Sequence, residues 1–159
     1  MDNTQEELLA KELAKAGKLG GKLGGGIAGS VGGWLGAKIA AKVLPTEQYE
    51  QQVVVAQRME TVLTKVATFL ASQGRIVNED EAGESIFPKL TGILGSGFLN
   101  ANPAVVRVEV LIATDSACTV RVRAAAKESI IRQRTAERAV ERVVDFLRSL
   151  GTPNTARSA

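Results

Sequence analysis

The most regular hydrophobic pattern in the chain is a four-residue period that runs from Gly17 to Leu44. In each tetrad one position is bulky and apolar, and two positions are mostly small. The bulky row is Leu19, Leu23, Ile27, Val31, Leu35, Ile39 and Val43. The glycines of the two small rows are Gly17, Gly21, Gly25, Gly29 and Gly33, and Gly20, Gly24, Gly32 and Gly36. Small residues four apart form a groove that admits a second backbone, so the pattern predicts a helix whose glycines pack against neighbouring helices.

A helix this rich in glycine needs an environment that compensates for its poor propensity, because each glycine costs roughly 1 kcal/mol relative to alanine. Hydrocarbon supplies such an environment, since the backbone has no water to bond there and the helix is enforced. We therefore expect the bulky row from Leu19 to Ile39 to face lipid. The lysines of the fourth position would snorkel or contact anionic groups; they are Lys18, Lys22, Lys38 and Lys42.

Two other environments stay open for the same stretch. The uncharged run from Leu23 to Ala37 would be about 22 Å long as a helix, which is short of the roughly 30 Å hydrocarbon core. The tetrads could instead pack inside a soluble homo-oligomer, or form a Gly-rich arm on the surface. The regular Leu/Ile/Val row argues against a flexible linker, because such linkers usually carry Ser and lack an apolar period.

At the level of the motif, residues 17–41 resemble the glycine zippers of bacterial membrane proteins, which include outer-membrane-associated proteins and channel- or pore-forming helices. The resemblance rests on the successive tetrads GKLG, GKLG, GGIA, GSVG and GWLG. It implies close packing of helices from several copies in a bilayer, as an anchor, a pore or a scaffold.

After Pro45 the chain alternates between helical and strand patterns. Thr46 is a predicted N-cap, and an apolar stripe predicts a helix that ends at Gly74. Further along, the patterns predict strands over 75–77 and 85–94 and a second amphipathic helix over 129–150. The predicted fold class is α+β: a long N-terminal glycine-zipper helix, then a two-layer domain of antiparallel sheet and two amphipathic helices. The predicted divisions are 1–16 (amphipathic helix), 17–44 (zipper helix), 46–151 (α+β domain) and 152–159 (disordered tail).

The clearest strand signal is a β-hairpin formed by two alternating runs, 106–112 and 119–123. A register that pairs Val110 with Val120 also pairs Glu109 with Arg121, and Val108 with Val122. One face would then be apolar, with Val106, Val108, Val110 and Ile112. The other face would carry a basic patch, which is a candidate contact for anionic groups and which Glu109 partly neutralises; its members are Arg107, Arg121 and Arg123.

The residue inventory narrows the chemistry. The chain has no His and one Cys, Cys118, so Ser-His-Asp catalysis, Cys-His catalysis and the usual zinc ligand sets cannot be assembled. No basic run with interleaved aromatics indicates a nucleic-acid site, and the net charge of +3 is mild. We therefore predict a protein that is not an enzyme, with no cofactor, no metal and no nucleic-acid partner, and the sequence identifies no small-molecule ligand.

These patterns predict a non-enzymatic, membrane-associated homo-oligomer, anchored or inserted through the zipper helix, with a cytoplasmic α+β scaffold or binding domain. Its expected partners are copies of itself and a lipid bilayer. The acidic start of the chain is unlike a cleavable signal peptide. The first alternative is a soluble self-assembling structural subunit, of a shell or filament, that uses the zipper as a protein–protein interface. The second alternative is a pore-forming effector.

Overall fold

The computed structural model describes residues 7–15, 17–18, 44–77, 88–96, 102–127 and 133–151. Within these ranges the chain forms five strands and three helices. Helix α1 comprises residues 7–15. The other elements are β1 (Thr46–Val55), α2 (Met59–Gln73), β2 (Gly74–Val77), β3 (Lys89–Ser96), β4 (Asn102–Ala113), β5 (Cys118–Lys127) and α3 (Thr135–Gly151).

The strands form one antiparallel sheet with the order β1-β5-β4-β3-β2. Strands β2 to β5 follow one another as a meander, so each pairs with its neighbour in the sequence. Strand β1 instead pairs with β5, the last strand, from Thr46 opposite Lys127 to Val55 opposite Cys118. Helix α2 therefore carries the chain from one edge of the sheet, β1, to the other edge, β2.

The core lies between one face of the sheet, here called the inner face, and helices α2 and α3. The inner face carries the alternating Val, Ala and Cys residues of β4 and β5. Helix α2 buries Val62, Val66 and Leu70, which are spaced four apart and so lie along one side of the helix. The rings of Phe69 and Phe146 stack with their centroids 4.4 Å apart, which joins α2 to α3.

The position of α3 over the sheet is fixed at both of its ends. At the N-terminus, Oε2 of Glu47 on β1 accepts a hydrogen bond from the Ala136 backbone N–H at 3.3 Å. A carboxylate at this end also interacts favourably with the helix dipole. At the C-terminus, the Leu150 carbonyl accepts a hydrogen bond from Nε2 of Gln57 at 3.1 Å. Both contacts come from β1 or the residues just after it, so α3 lies over the edge that β1 forms.

Helix α1 packs on the opposite side of the sheet, here called the outer face. Its Leu9 is fully buried against Ile93, Val105 and Ala125. Glu12 of α1 forms ion pairs with Lys15, at 2.9 Å, and with Arg75 of β2. The α+β class is therefore confirmed, but helices cover both faces of the sheet, where a two-layer arrangement was predicted.

The predicted long N-terminal helix is wrong. The helical residues described at this end are 7–15 and 17–18, and residues 19–43 lie outside the described residues.

The predicted transmembrane helix and membrane location are also contradicted. Among the described residues, no helix has both the length and the apolar character needed to cross a bilayer. The prediction relied on a single uninterrupted helix through the glycine tetrads.

The segment Thr46–Val55 forms strand β1, so the helix predicted from Thr46 to Gly74 is wrong in its first part. Helix α2 begins only at Met59. Glu and Gln favour helix by a few tenths of a kcal/mol per residue, which is a weak preference that packing overrides. Here the pairing of all ten β1 residues with β5 overrides it. The strand predicted over 75–77 is present in β2, and the one predicted over 85–94 is present from Lys89 onward, with residues 85–87 outside the described residues.

The hairpin register is confirmed, with Val110 opposite Val120, Glu109 opposite Arg121 and Val108 opposite Val122. A register shift between Val110 and Ile112 then pairs Ile112 with Thr119. Because Thr119 is adjacent to the buried Val120, the shift places Ile112 on the outer face, where it is 64% exposed. The prediction that Ile112 shares the apolar face is therefore wrong, since a bulge interrupts the alternation.

Gly74, the first residue of β2, allows the close approach of the β2 and β3 backbones. A Cβ atom added there would lie 2.0 Å from the Ile93 carbonyl oxygen. We expect Gly74→Ala to lower the free energy of unfolding by about 2–3 kcal/mol, because the backbone has to shift to relieve the overlap. Urea unfolding followed by circular dichroism measures the change. At Gly151 an added Cβ would meet its nearest atom at 3.7 Å, so Gly151→Ala is the matched control, and equal losses in both variants would contradict the explanation.

Glu12 joins α1 to β2 through its ion pair with Arg75. Partial burial raises the pKa of this carboxyl, but hydrogen bonds and charges from Lys15 and Arg75 outweigh burial and hold the pKa below its ordinary value. A lowered carboxyl pKa adds stability that is complete above the unfolded-state pKa and is lost as the pH falls through the folded-state pKa. We expect Glu12→Gln to reduce stability by about 1 kcal/mol near pH 7 and by much less near pH 3.

Urea unfolding of the wild type and the variant at both pH values tests this dependence. Glu7→Gln, on an exposed position of the same helix, is the control and should be close to neutral. A loss for Glu12→Gln that is the same at both pH values would show that the ionised carboxylate is not responsible.

Candidate interaction surface

The outer face carries its side chains in transverse rows, because residues paired across antiparallel strands point to the same side. Next to the part covered by α1 lies a row that begins on β1, and a second row lies closer to the β4–β5 turn. The first row is Glu50, Arg123, Arg107 and Thr91, and the second is Gln52, Arg121, Glu109 and Lys89. These two charged rows bring together the three arginines predicted as a basic patch.

Glu50 connects the two charged rows, because it pairs with one arginine of each. Its Oε2 atom lies 2.7 Å from Nη2 of Arg123 and accepts a hydrogen bond from Nε of the same residue at 2.9 Å. Its Oε1 atom lies 3.3 Å from Nε of Arg121, an ion pair without hydrogen-bond geometry. Nη1 of Arg121 also lies 3.6 Å from Oε2 of Glu109. One carboxylate on the edge strand therefore bridges two guanidinium groups of β5.

Arg107 lies between Thr91 and Arg123 in the register and is 9% exposed, so it is the most buried of the three arginines. The side chains of Arg121 and Arg123 are about a third exposed. The carboxylates of Glu50 and Glu109 offset much of the positive charge of these two. A contact of the patch with anionic groups stays a prediction.

An exposed apolar row lies beyond the charged rows, next to the β4–β5 turn. It consists of Val54 on β1 and Ile112 on β4, on either side of Thr119. Val54 is 71% exposed and Ile112 is 64% exposed. Two β-branched apolar residues are therefore exposed in the same row of the outer face.

Strand β1 forms a long edge of the sheet. In the part of the chain that the structure describes, it has a strand partner on one side only. Its pairing with β5 runs without a bulge over Thr46–Val55, and its sequence TEQYEQQVVV contains no Lys, Arg or Pro. Natural sheets commonly protect their edges with such residues, with bulges or with very short strands. The opposite edge is protected in this way, because β2 has four residues and includes Arg75.

The structure describes only part of the residues singled out in the sequence. Gly17 is helical and half-buried, and Lys18 is helical and exposed. The other zipper glycines, the bulky row from Leu19 to Ile39, and Lys22, Lys38 and Lys42 lie outside the described residues. Sequence reasoning missed Glu50 and Val54, because it assigned their segment to a helix. The signal that could have found them is the alternation of Tyr49, Gln51, Val53 and Val55.

Comparisons with known proteins do not identify a function for this surface. No protein-family model matches the chain, and no curated protein matches it. Among solved structures, this chain is similar to the structure of NdmA from Pseudomonas putida CBB5 with caffeine. The TM-score is 0.36 and the sequence identity is 9%. The match covers 72% of this chain and 47% of the NdmA chain. A likeness this weak carries no argument about activity.

The bridging role of Glu50 predicts a salt-dependent contribution to stability. We expect Glu50→Gln to lower the free energy of unfolding by about 0.5–1 kcal/mol, because two guanidinium groups lose a shared counter-charge on a partly exposed surface. The loss should shrink as salt is added, since salt screens such pairs. Urea unfolding at low and high salt measures both effects.

Asp145→Asn is the matched control for Glu50→Gln. Asp145 pairs with one residue, Arg148, at 3.3 Å, and its side chain is 73% exposed. We expect its replacement to change stability little at any salt concentration. A Glu50→Gln loss that is as small as the control's would rule out a stabilising bridge.

Proposed function

We propose that the chain is a non-enzymatic structural subunit that assembles with copies of itself. The observation that supports this proposal best is the long, regular edge of β1. Every second residue of an edge strand directs its backbone N–H and C=O groups away from the sheet. Those groups can bond to water or to another strand, and a strand offers a partner for the whole edge at once.

The side chains near this edge favour protein contact. Val54 and Tyr49 are both exposed, at 71% and 37%, and lie on opposite faces of β1. Covering a largely exposed Val contributes about 1–2 kcal/mol. An added strand would therefore gain apolar contacts on both faces as well as backbone hydrogen bonds.

The glycine tetrads supply a second candidate contact between copies. Described contacts attach the chain to the folded domain on both sides of residues 19–43. On one side Glu12 pairs with Arg75, and on the other Lys127 bonds to the Leu44 carbonyl at 3.3 Å. We propose that the small rows of the tetrads pack against the same rows of other copies, as in the self-assembling alternative drawn from the sequence.

The mass of the particles in solution tests the proposal. Size-exclusion chromatography with light scattering should give a mass that is a multiple of the 16.8 kDa subunit and that falls on dilution. Val54→Lys places a charge on the edge strand and should reduce the mass. Ala71→Lys, on an exposed position of α2, is the matched control and should leave it unchanged.

Gly29→Leu tests the tetrads separately. A bulky side chain in a small row prevents close approach of a second backbone, so this variant should lose the higher-mass species while its circular dichroism stays unchanged. A wild-type chain that has the mass of one subunit over a wide range of concentrations would contradict the proposed function.

A further inference from the structure

We infer that β1 pairs antiparallel with β1 of a second copy across a two-fold axis at Gln51, which joins two five-stranded sheets into one continuous sheet. The inference rests on the proposed function and specifies one interface for it. It follows from the pairing of β1 on one side only among the described strands, from its sequence and from the faces on which its side chains lie.

Two-fold symmetry is the expected arrangement for a surface that meets itself. Antiparallel pairing of β1 with its own copy satisfies this symmetry, and it keeps α2 and α3 of both copies on one side of the joined sheet. The opposite edge, β2, has four residues and offers little for further strand addition. The sheet would therefore stop growing at two copies, because each copy contributes one long edge.

The residue types of β1 favour one register. With the axis at Gln51, residues 47–55 of each copy are paired. On the inner face Tyr49 lies opposite Val53 of the second copy, an aromatic and β-branched pair that stabilises antiparallel sheets. On the outer face Glu50 lies opposite Gln52 of the second copy, whose amide can donate to the carboxylate. Gln51 lies opposite itself, where two amides can bond to each other.

Shifts of the axis along the strand are less favourable. An axis at Glu50 pairs residues 46–54 but places Glu50 opposite Glu50, and like charges directly opposite are destabilising. An axis at Gln52 places Glu50 opposite Val54 and pairs only residues 49–55. An axis at Tyr49 pairs only residues 46–52 and leaves Val53–Val55 without a strand. The register at Gln51 therefore combines the longest pairing with the absence of opposed like charges.

Disulfide formation tests the register directly. At the axis the two Cα atoms of residue 51 would be about 4.5–5.5 Å apart, which lies within the range that a disulfide spans. We expect Gln51→Cys to give a disulfide-linked dimer on mild oxidation of the full chain. Gln52→Cys is the matched control, because its two Cα atoms would be about 8 Å apart, too far for a disulfide.

The native Cys118 does not interfere with this experiment. It is 2% exposed in the core, and burial together with the charge of Glu60 raises the pKa of its thiol. The wild-type chain should therefore remain without a disulfide under the same conditions, which measures the background.

Charge substitution at Gln52 gives a second, independent readout. Within one chain Gln52 pairs with Arg121, so Gln52→Glu should preserve or raise the stability of the subunit. Across the inferred interface it places Glu opposite Glu50 twice, which should raise the dimer Kd by roughly two- to thirty-fold. Gln52→Lys should have the opposite effect on both quantities. Analytical ultracentrifugation measures the Kd, and urea unfolding measures the stability.

The outcomes separate this inference from the proposed function. A preference for cross-linking at residue 51, with Gln52→Glu weaker and Gln52→Lys tighter than wild type, supports the register. An assembled protein that cross-links equally at both positions, or that ignores the charge at residue 52, overturns the inference and leaves self-assembly intact. A wild-type chain that does not associate at all overturns both.

Discussion

The pairing of β1 with β5 is the interaction on which the rest of the structure depends. It joins the first strand of the sheet to the last, over ten residue pairs from Thr46–Lys127 to Val55–Cys118. Strands β2 to β5 form a local meander. Among the described strands, the β1–β5 pairing is therefore the one that joins distant parts of the chain. It also brings Glu47 to the N-terminus of α3 and Gln57 to its C-terminus, so the helix that covers the core is positioned by the same strand.

The same pairing creates the surface that we associate with assembly. Glu50 reaches Arg121 and Arg123 only because β1 lies beside β5. The carboxylates of Glu50 and Glu109 then offset part of the positive charge of the two rows, which hold Arg107, Arg121, Arg123 and Lys89. The side of β1 that does not pair with β5 is then the one long edge of the described sheet. The interaction that completes the fold therefore also exposes the strand that can extend it.

Helix α1 is held on the outer face by one apolar cluster and one ion pair. Leu9 seals a small apolar cluster with Ile93, Val105 and Ala125, and Glu12 holds the helix to β2 through Arg75. Described contacts on either side of residues 19–43 are therefore those of α1 with the outer face and the hydrogen bond from Lys127 of β5 to the Leu44 carbonyl.

The local patterns of the sequence determined the elements whose contacts are close in the chain. The hairpin register followed from alternation, since one buried face and a short turn leave few other pairings. The α2 stripe of Val62, Val66 and Leu70 was also visible in the sequence, because residues four apart lie along one side of a helix. What only the tertiary structure decided was the state of Thr46–Val55, whose helical propensity yields to a partner more than sixty residues away. It also decided the bulge that turns Ile112 outward, and the ion pairs of Glu50. Each of these depends on neighbours supplied by distant parts of the chain, and the free energies of those contacts exceed the weak local preferences that a sequence pattern reports.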